Sequence, residues 1–225
     1  MAPGYAKMRL AVKRIVIVDD HPATRDGLVT RVALEPDLEV VGQASDIEEA
    51  LTVIDATRPD VAVIDISLKA SSGIDLVKAV KERFPRVRML VWSMYEESLY
   101  AERALRAGAM GYINKQHVTD TIIGAIRTIF AGELFLSKEL SAKMLHRVIA
   151  GKASVAVSPV ESLSDRELET FRLIGRGMPT KEIAKAMNLS PKTVETYRAR
   201  IKEKLEHDDM ASLTREAAQW VLENG

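Results

Sequence analysis

The chain has 225 residues, 47% hydrophobic and 28% charged, with 12 Gly, 8 Pro and no Cys, which fits one large or two modest soluble domains and excludes disulfides, thiolate metal sites and cysteine nucleophiles. The formal net charge is +0, but residues 134–225 carry 15 basic against 13 acidic side chains, and residues 190–205 carry five against two. No apolar run approaches the ~18–20 residues of a membrane span, and residues 1–10 lack the long apolar stretch of a secretory signal, so a cytoplasmic protein with no membrane partner is expected.

In the first half, short runs rich in Val and Ile alternate with segments of helical periodicity. Strands are predicted over residues 14–18, 38–44, 61–64, 87–92 and 110–113, and helices over 22–34, 47–56, 74–84, 99–107 and 118–130. This alternation builds βαβ units and a parallel sheet covered on both faces. The run Val61, Ala62, Val63, Ile64 is apolar throughout, as a central parallel strand requires. The fold class predicted is a doubly wound, five-stranded α/β sheet.

After Phe130 the pattern is helical. A helix over residues 137–149 has Leu140, Met144, Leu145 and Val148 on one face, and residues 150–159 are small and polar, as in a flexible linker. Ser164 and Glu167 have capping-box spacing, and Gly175 and Gly177 end the helix that follows. Thr180 is read as the cap of a helix over 181–187. Ser190 caps the next, over 191–205, with Pro191 at its first position, and a last helix covers 210–222.

Carboxylates close two of the apolar strands. Asp19 and Asp20 follow the first, and Asp65 follows the run ending at Ile64. Ligands of open α/β sheets bind beyond the carboxyl ends of the strands, where the order reverses. Converging carboxylates need a cation, and Mg2+ suits an all-oxygen set. Ser93 and Lys115 close two further strands. With Asp65 as nucleophile, the metal and Lys115 would neutralise phosphoryl oxygens and Ser93 would bond the product. One Asp after a strand is ordinarily a turn or a cap, but an acidic pair, a central Asp, a hydroxyl and a Lys at successive strand ends point to chemistry. His21 is expected to open the first helix, exposed, and Tyr112 by itself reads as core. His117, His146 and His207 have no ligand spacing.

Residues 13–132 resemble the receiver domain of two-component response regulators. The resemblance rests on Val18-Asp19-Asp20, on Asp65 with Gly73 eight residues on, on Ser93, and on Tyr112 with Lys115. It implies that Asp65 is phosphorylated by a sensor histidine kinase with Mg2+ on Asp19, Asp20 and Asp65, and that Ser93 and Tyr112 are switch residues. The chain departs from the family at Gln116, commonly Pro, and at Leu68-Lys69, commonly Met-Pro. Ser67 stands two residues after the phosphoacceptor, where polar residues tune phosphoryl lifetime.

The helices over 181–187 and 191–205, joined by three residues, form a helix-turn-helix. Val194, Ile201 and Leu205 share one face of the second, bordered by Tyr197 and Arg198, and are expected to pack on Leu168, Phe171, Ile174, Ile183 and Met187. Lys192, Glu195, Thr196, Ala199 and Glu203 fall opposite, flanked by Arg200 and Lys202. Lys192, Thr193, Glu195, Thr196 and Ala199 are the candidate DNA-facing residues, Glu195 accepting from a cytosine amino group. Arg198, Arg200 and Lys202 would hold phosphates. By spacing alone such a face is equally a solvated charged surface. Residues 163–169, 173–177, 181–184 and 189–200 resemble the LuxR-type helix-turn-helix.

The whole chain therefore resembles a NarL/FixJ-type response regulator, with a receiver at 13–132, a linker with a helix at 133–160 and a DNA-binding domain at 161–225. The resemblance implies a phosphorylation-dependent transcriptional regulator that dimerises on double-stranded promoter DNA and is not an enzyme beyond its own phosphorylation and dephosphorylation. The alternatives are a DNA-binding regulator that works without phosphorylation and a Mg2+-dependent phosphohydrolase.

Overall fold

The structure is a computed structural model and describes residues 12–68, 71–116, 119–149 and 159–224. Residues 1–11, Lys69, His117, the start of the helix expected from residue 118 and residues 150–158 of the expected linker lie outside these residues. The chain divides into two units, Met1–Leu136 and Ser137–Gly225.

The first unit runs β1 (Lys13–Val18), α1 (Pro22–Ala33), β2 (Leu38–Ala44), α2 (Ile47–Thr57), β3 (Val61–Ile64), α3 (Gly73–Arg83), β4 (Arg88–Ser93), α4 (Glu97–Ala107), β5 (Gly111–Asn114) and α5 (Thr119–Phe130). The five strands are parallel in the order β2-β1-β3-β4-β5, the doubly wound sheet that the alternation predicts. Ile15, Ile17, Val61, Val63, Leu90 and Ile113 pack on one face against α1 and α5. Val16, Ala62, Ile64 and Val91 alternate with them and are equally buried, so the central strands read as unbroken apolar runs.

The order reverses between β1 and β3, where Val18 pairs with Ile64. The two strands therefore deliver Asp19 and Asp65 side by side.

Two features differ from the sequence reading. β4 and β5 lie one residue further along than predicted because Ser93 pairs with Asn114. These polar residues stay in the ladder through backbone bonding, which hydrophobic periodicity does not register. A two-residue antiparallel ladder, Ser67–Leu68 with Ser71–Ser72, precedes α3 and is too short to show a period.

The second unit has α6 (Lys138–Ile149), a 3-10 turn (Pro159–Ser162), α7 (Asp165–Gly175), α8 (Thr180–Ala186), α9 (Pro191–Lys204) and α10 (Met210–Asn224). Ser164 and Glu167 complete the expected capping box, and Ser190 caps α9 behind Pro191. Gly175 is the last residue of α7, as expected. A Cβ there would lie 2.3 Å from the Ala217 carbonyl oxygen, so this glycine lets α10 approach. Thr180 is not a cap. Pro179 holds that position without a side-chain bond, and Thr180 is the first residue of α8. α9 packs on α7 and α8, and α10 on α7, with Phe171 and Trp220 edge to face at 5.8 Å. Among the described residues no helix is long and apolar enough to cross a membrane.

Candidate functional site

At the carboxyl end of the sheet, Asp19 (1% exposed) and Asp65 (3%) flank the Lys115 ammonium. Lys115 Nζ donates to Asp19 Oδ2 and to Asp65 Oδ2, both at 2.7 Å, and lies 5.2 Å from the centre of the Trp92 ring. The ammonium offsets the mutual repulsion of two buried carboxylates. Asp20 is half-buried beside them. Its Oδ1 is a buried acceptor without a hydrogen bond, although His21 Nδ1 lies 2.7 Å away out of alignment. Burial raises the Asp20 carboxyl above the ordinary aspartate range. Asp65 and Asp19 push the same way, while His21 and Lys115 pull it down without cancelling the rise.

Three carboxylates outnumber the two fixed cations at this end of the sheet, Lys115 and the Arg25 guanidinium, which donates to the Asp19 backbone carbonyl at 2.6 Å. Oxygens of Asp19, Asp20 and Asp65, with a ring nitrogen of His21, fall within 4.8 Å of one another. The unbonded Asp20 oxygen and the excess of carboxylates fit a divalent cation. His21 is exposed and precedes Pro22 of α1, as expected.

Ser93 is fully buried at the end of β4. Its hydroxyl faces the Tyr95 amide at 3.5 Å. Tyr112 is also buried, and its hydroxyl donates to the Tyr95 carbonyl at 2.9 Å. Burial pushes the Tyr112 phenol well above its ordinary value. Asp65, Glu97 and Tyr95 add to the rise, and Ser93 opposes it. Asn114 donates to the same carbonyl at 3.0 Å. Tyr95 stacks on Tyr100 of α4 at 4.6 Å. The loop between β4 and α4 is thus tied to β5.

In the helical unit, Val194, Ile201 and Leu205 are buried with Leu168, Phe171, Ile174, Ile183 and Met187. Lys192, Glu195, Thr196, Ala199, Arg200 and Glu203 are exposed and Thr193 is intermediate. The flanking cations are less free. Lys202 donates to the Asp208 carbonyl at 3.2 Å, and Arg198, only 20% exposed, donates to the Thr180 hydroxyl at 2.6 Å.

Residues 15–127 match the response regulator receiver domain family, and residues 161–217 match the bacterial regulatory proteins of the luxR family. The oxygen regulatory protein NreC of Staphylococcus haemolyticus is 35% identical over 197 residues, covering 86% of this chain and 91% of that one. NreC of Staphylococcus carnosus is 34% identical over 196 residues, covering 85% and 90%. This chain is a LuxR-family response regulator. A response regulator of that family from Aurantimonas covers 61% of this response regulator and 99% of its own length, with 30% identity and a TM-score of 0.57. RcsB of Salmonella enterica, bound to the promoter rprA in the presence of the phosphomimetic BeF3-, shares the fold over 92% of this chain and 98% of its own at a TM-score of 0.57 and 24% identity.

Local reasons stand behind several positions of this response regulator. Gly73 lies against the backbone of Asp65: a Cβ there would sit 1.9 Å from the Asp65 carbonyl oxygen. Gln116 uses the amide that proline lacks, donating to Asn114 Oδ1 at 2.8 Å. Leu68 is fully buried in the short ladder after Asp65. Sequence reasoning missed Tyr95 and Asn114, whose contacts run through a backbone carbonyl. It read Thr180 as a cap because its hydroxyl precedes a helix, the only signal it carries.

Proposed function

We propose that Asp65 accepts a phosphoryl group from a sensor histidine kinase and that this controls binding of α9 to promoter DNA. The supporting observation is the Lys115 ammonium, 2.7 Å from both Asp19 and Asp65 beside buried Ser93. An Asp65 oxygen attacks phosphorus, the phosphorus–nitrogen bond to the kinase histidine breaks, and its electron pair leaves with the imidazole. Lys115 turns from the carboxylates to the new phosphoryl oxygens, and Ser93 donates to them. Asp19, Asp20 and Asp65 would hold Mg2+, which when bound supplies further positive charge to those oxygens.

Tyr112 is buried with its hydroxyl on the Tyr95 carbonyl, so as Ser93 moves to bond the phosphoryl group, Tyr112 packs into the space vacated and carries the β4–α4 loop with it. That loop leads into α4, and the new charge reshapes the surface of α4 and α5 and favours a homodimer. Two copies of α9 then reach half-sites one helical turn apart. In this reading the receiver spans 13–132, the linker 133–160 and the DNA-binding domain 161–225. Lys192, Thr193, Glu195, Thr196 and Ala199 face base edges, and Arg198, Arg200 and Lys202 face phosphates. The protein acts in the cytoplasm and turns over no substrate beyond its own phosphoryl group.

The test is a titration of wild-type chain and Asp65→Asn onto DNA that the wild type selects, with and without a small phosphodonor. Tighter binding with the donor in the wild type alone is expected. Equal affinity in both conditions would remove phosphorylation control.

A further inference from the structure

A chain of three side chains joins α8 to the outward face of α9. Arg198 Nη1 donates to Thr180 Oγ1 at 2.6 Å, and Thr180 Oγ1 donates to Glu195 Oε1 at 2.6 Å. The direction is fixed by chemistry. A guanidinium only donates, so the hydroxyl must accept from it and give its single proton to the carboxylate. Arg198 Nε is buried and donates to no partner among the described residues, so the arginine is held here by its Nη1 end.

The consequence falls on Glu195. Its side chain is 60% exposed, among Lys192, Thr196 and Ala199 on the face expected to meet bases. A glutamate on an open helix face samples several rotamers. With Oε1 tied to Thr180 it is held in one, and Oε2 is left as an outward acceptor. The Arg198 guanidinium, 3.9 Å from Oε1, offsets the repulsion that DNA phosphates exert on a carboxylate. A pre-positioned acceptor in the major groove matches the amino group of cytosine, the base edge that only donates.

We infer that Thr180 is a positioning residue for sequence reading: its hydroxyl links Arg198 to Glu195 and aims the Glu195 carboxylate at one cytosine amino group. This rests on the proposed binding of α9 to promoter DNA. Thr180 itself touches no base in this account and acts through Glu195.

The experiment is selection from a randomised duplex library by the full-length chain with Mg2+ and a phosphodonor, comparing wild type, Glu195→Ala, Thr180→Val and Thr180→Ser. Wild type is expected to enrich sites with a C·G pair at one position, and Glu195→Ala to lose the preference there. Thr180→Val, which keeps the shape without the hydroxyl, is expected to lose about tenfold of that cytosine preference. Its preferences elsewhere and its salt dependence should be unchanged, and Thr180→Ser should restore the cytosine. If Thr180→Val keeps the full preference that Glu195→Ala loses, or loses preference at every position alike, the positioning role is wrong. If Glu195→Ala selects the wild-type sites, Glu195 reads no base and the inference falls while DNA binding stands. If the wild type enriches nothing, the DNA-binding reading fails and the inference with it.

Discussion

Lys115 bonds two buried carboxylates at once, and its removal has opposite effects on two ligands. Lys115→Ala leaves Asp19 and Asp65 uncompensated, so Mg2+ should bind more tightly, by about tenfold for the loss of one short-range charge. Phosphoryl transfer should slow, because the ammonium no longer meets the phosphoryl oxygens. Trp92, 5.2 Å from the Lys115 ammonium, reports the first effect in a fluorescence titration. Weaker Mg2+ binding by the variant would contradict the assignment. Gly73→Ala is the second test at this scale. Its Cβ would fall 1.9 Å from the Asp65 carbonyl oxygen, so the backbone must shift, at about 1–3 kcal/mol. A urea titration should show the loss, and wild-type stability would mean that the strand end yields freely. The pocket residues were legible because each closes a strand, a position that periodicity locates. The reason for Gly73 was not, since the clash is with a residue eight positions away. Thr180 was misread because a hydroxyl before a helix looks the same whether it bonds its own backbone or a side chain on the next helix.

α7 carries the clearest dependence on pH. Burial alone would raise the Glu167 carboxyl, but the Lys204 ammonium at 2.6 Å and the Ser164 amide and hydroxyl outweigh it and hold it below the ordinary glutamate value. A carboxyl lowered by folding contributes stability above its unfolded pKa and loses it as pH falls through the folded value. The protection factors for hydrogen exchange across α7 in the full chain, taken relative to the intrinsic exchange rate at each pH, should therefore fall on acidification below the ordinary glutamate range. Glu167→Gln should be less protected at neutral pH and less sensitive to acid. An unchanged acid response in that variant would place the titrating group elsewhere. On α9, exposed Arg200 is assigned to a phosphate. Arg200→Ala should weaken all DNA sequences alike and reduce the slope of log affinity against log salt by about 1; a change in preferred sequence instead would make it a base reader. The long periodic elements were readable to within a residue or two. What shifted were their ends, set by ladder partners such as Ser93 with Asn114.

Across the whole molecule, the change from alternating strands and helices to helices alone was visible near Phe130, and the chain divides between Leu136 and Ser137. Hydrophobic pattern carries this division because each unit buries its own core. The near-neutral charge of the whole chain concealed the basic stretch around α9 until the sequence was taken in parts. In the proposed function, chemistry falls to the first unit and recognition to the second, and both depend on Asp65 being the phosphoacceptor. Intact-mass spectrometry of the full chain after incubation with Mg2+ and a small phosphodonor tests this most directly. One phosphoryl adduct on the wild type and none on Asp65→Asn is predicted. An adduct on both proteins, or on neither with folding intact, would contradict it.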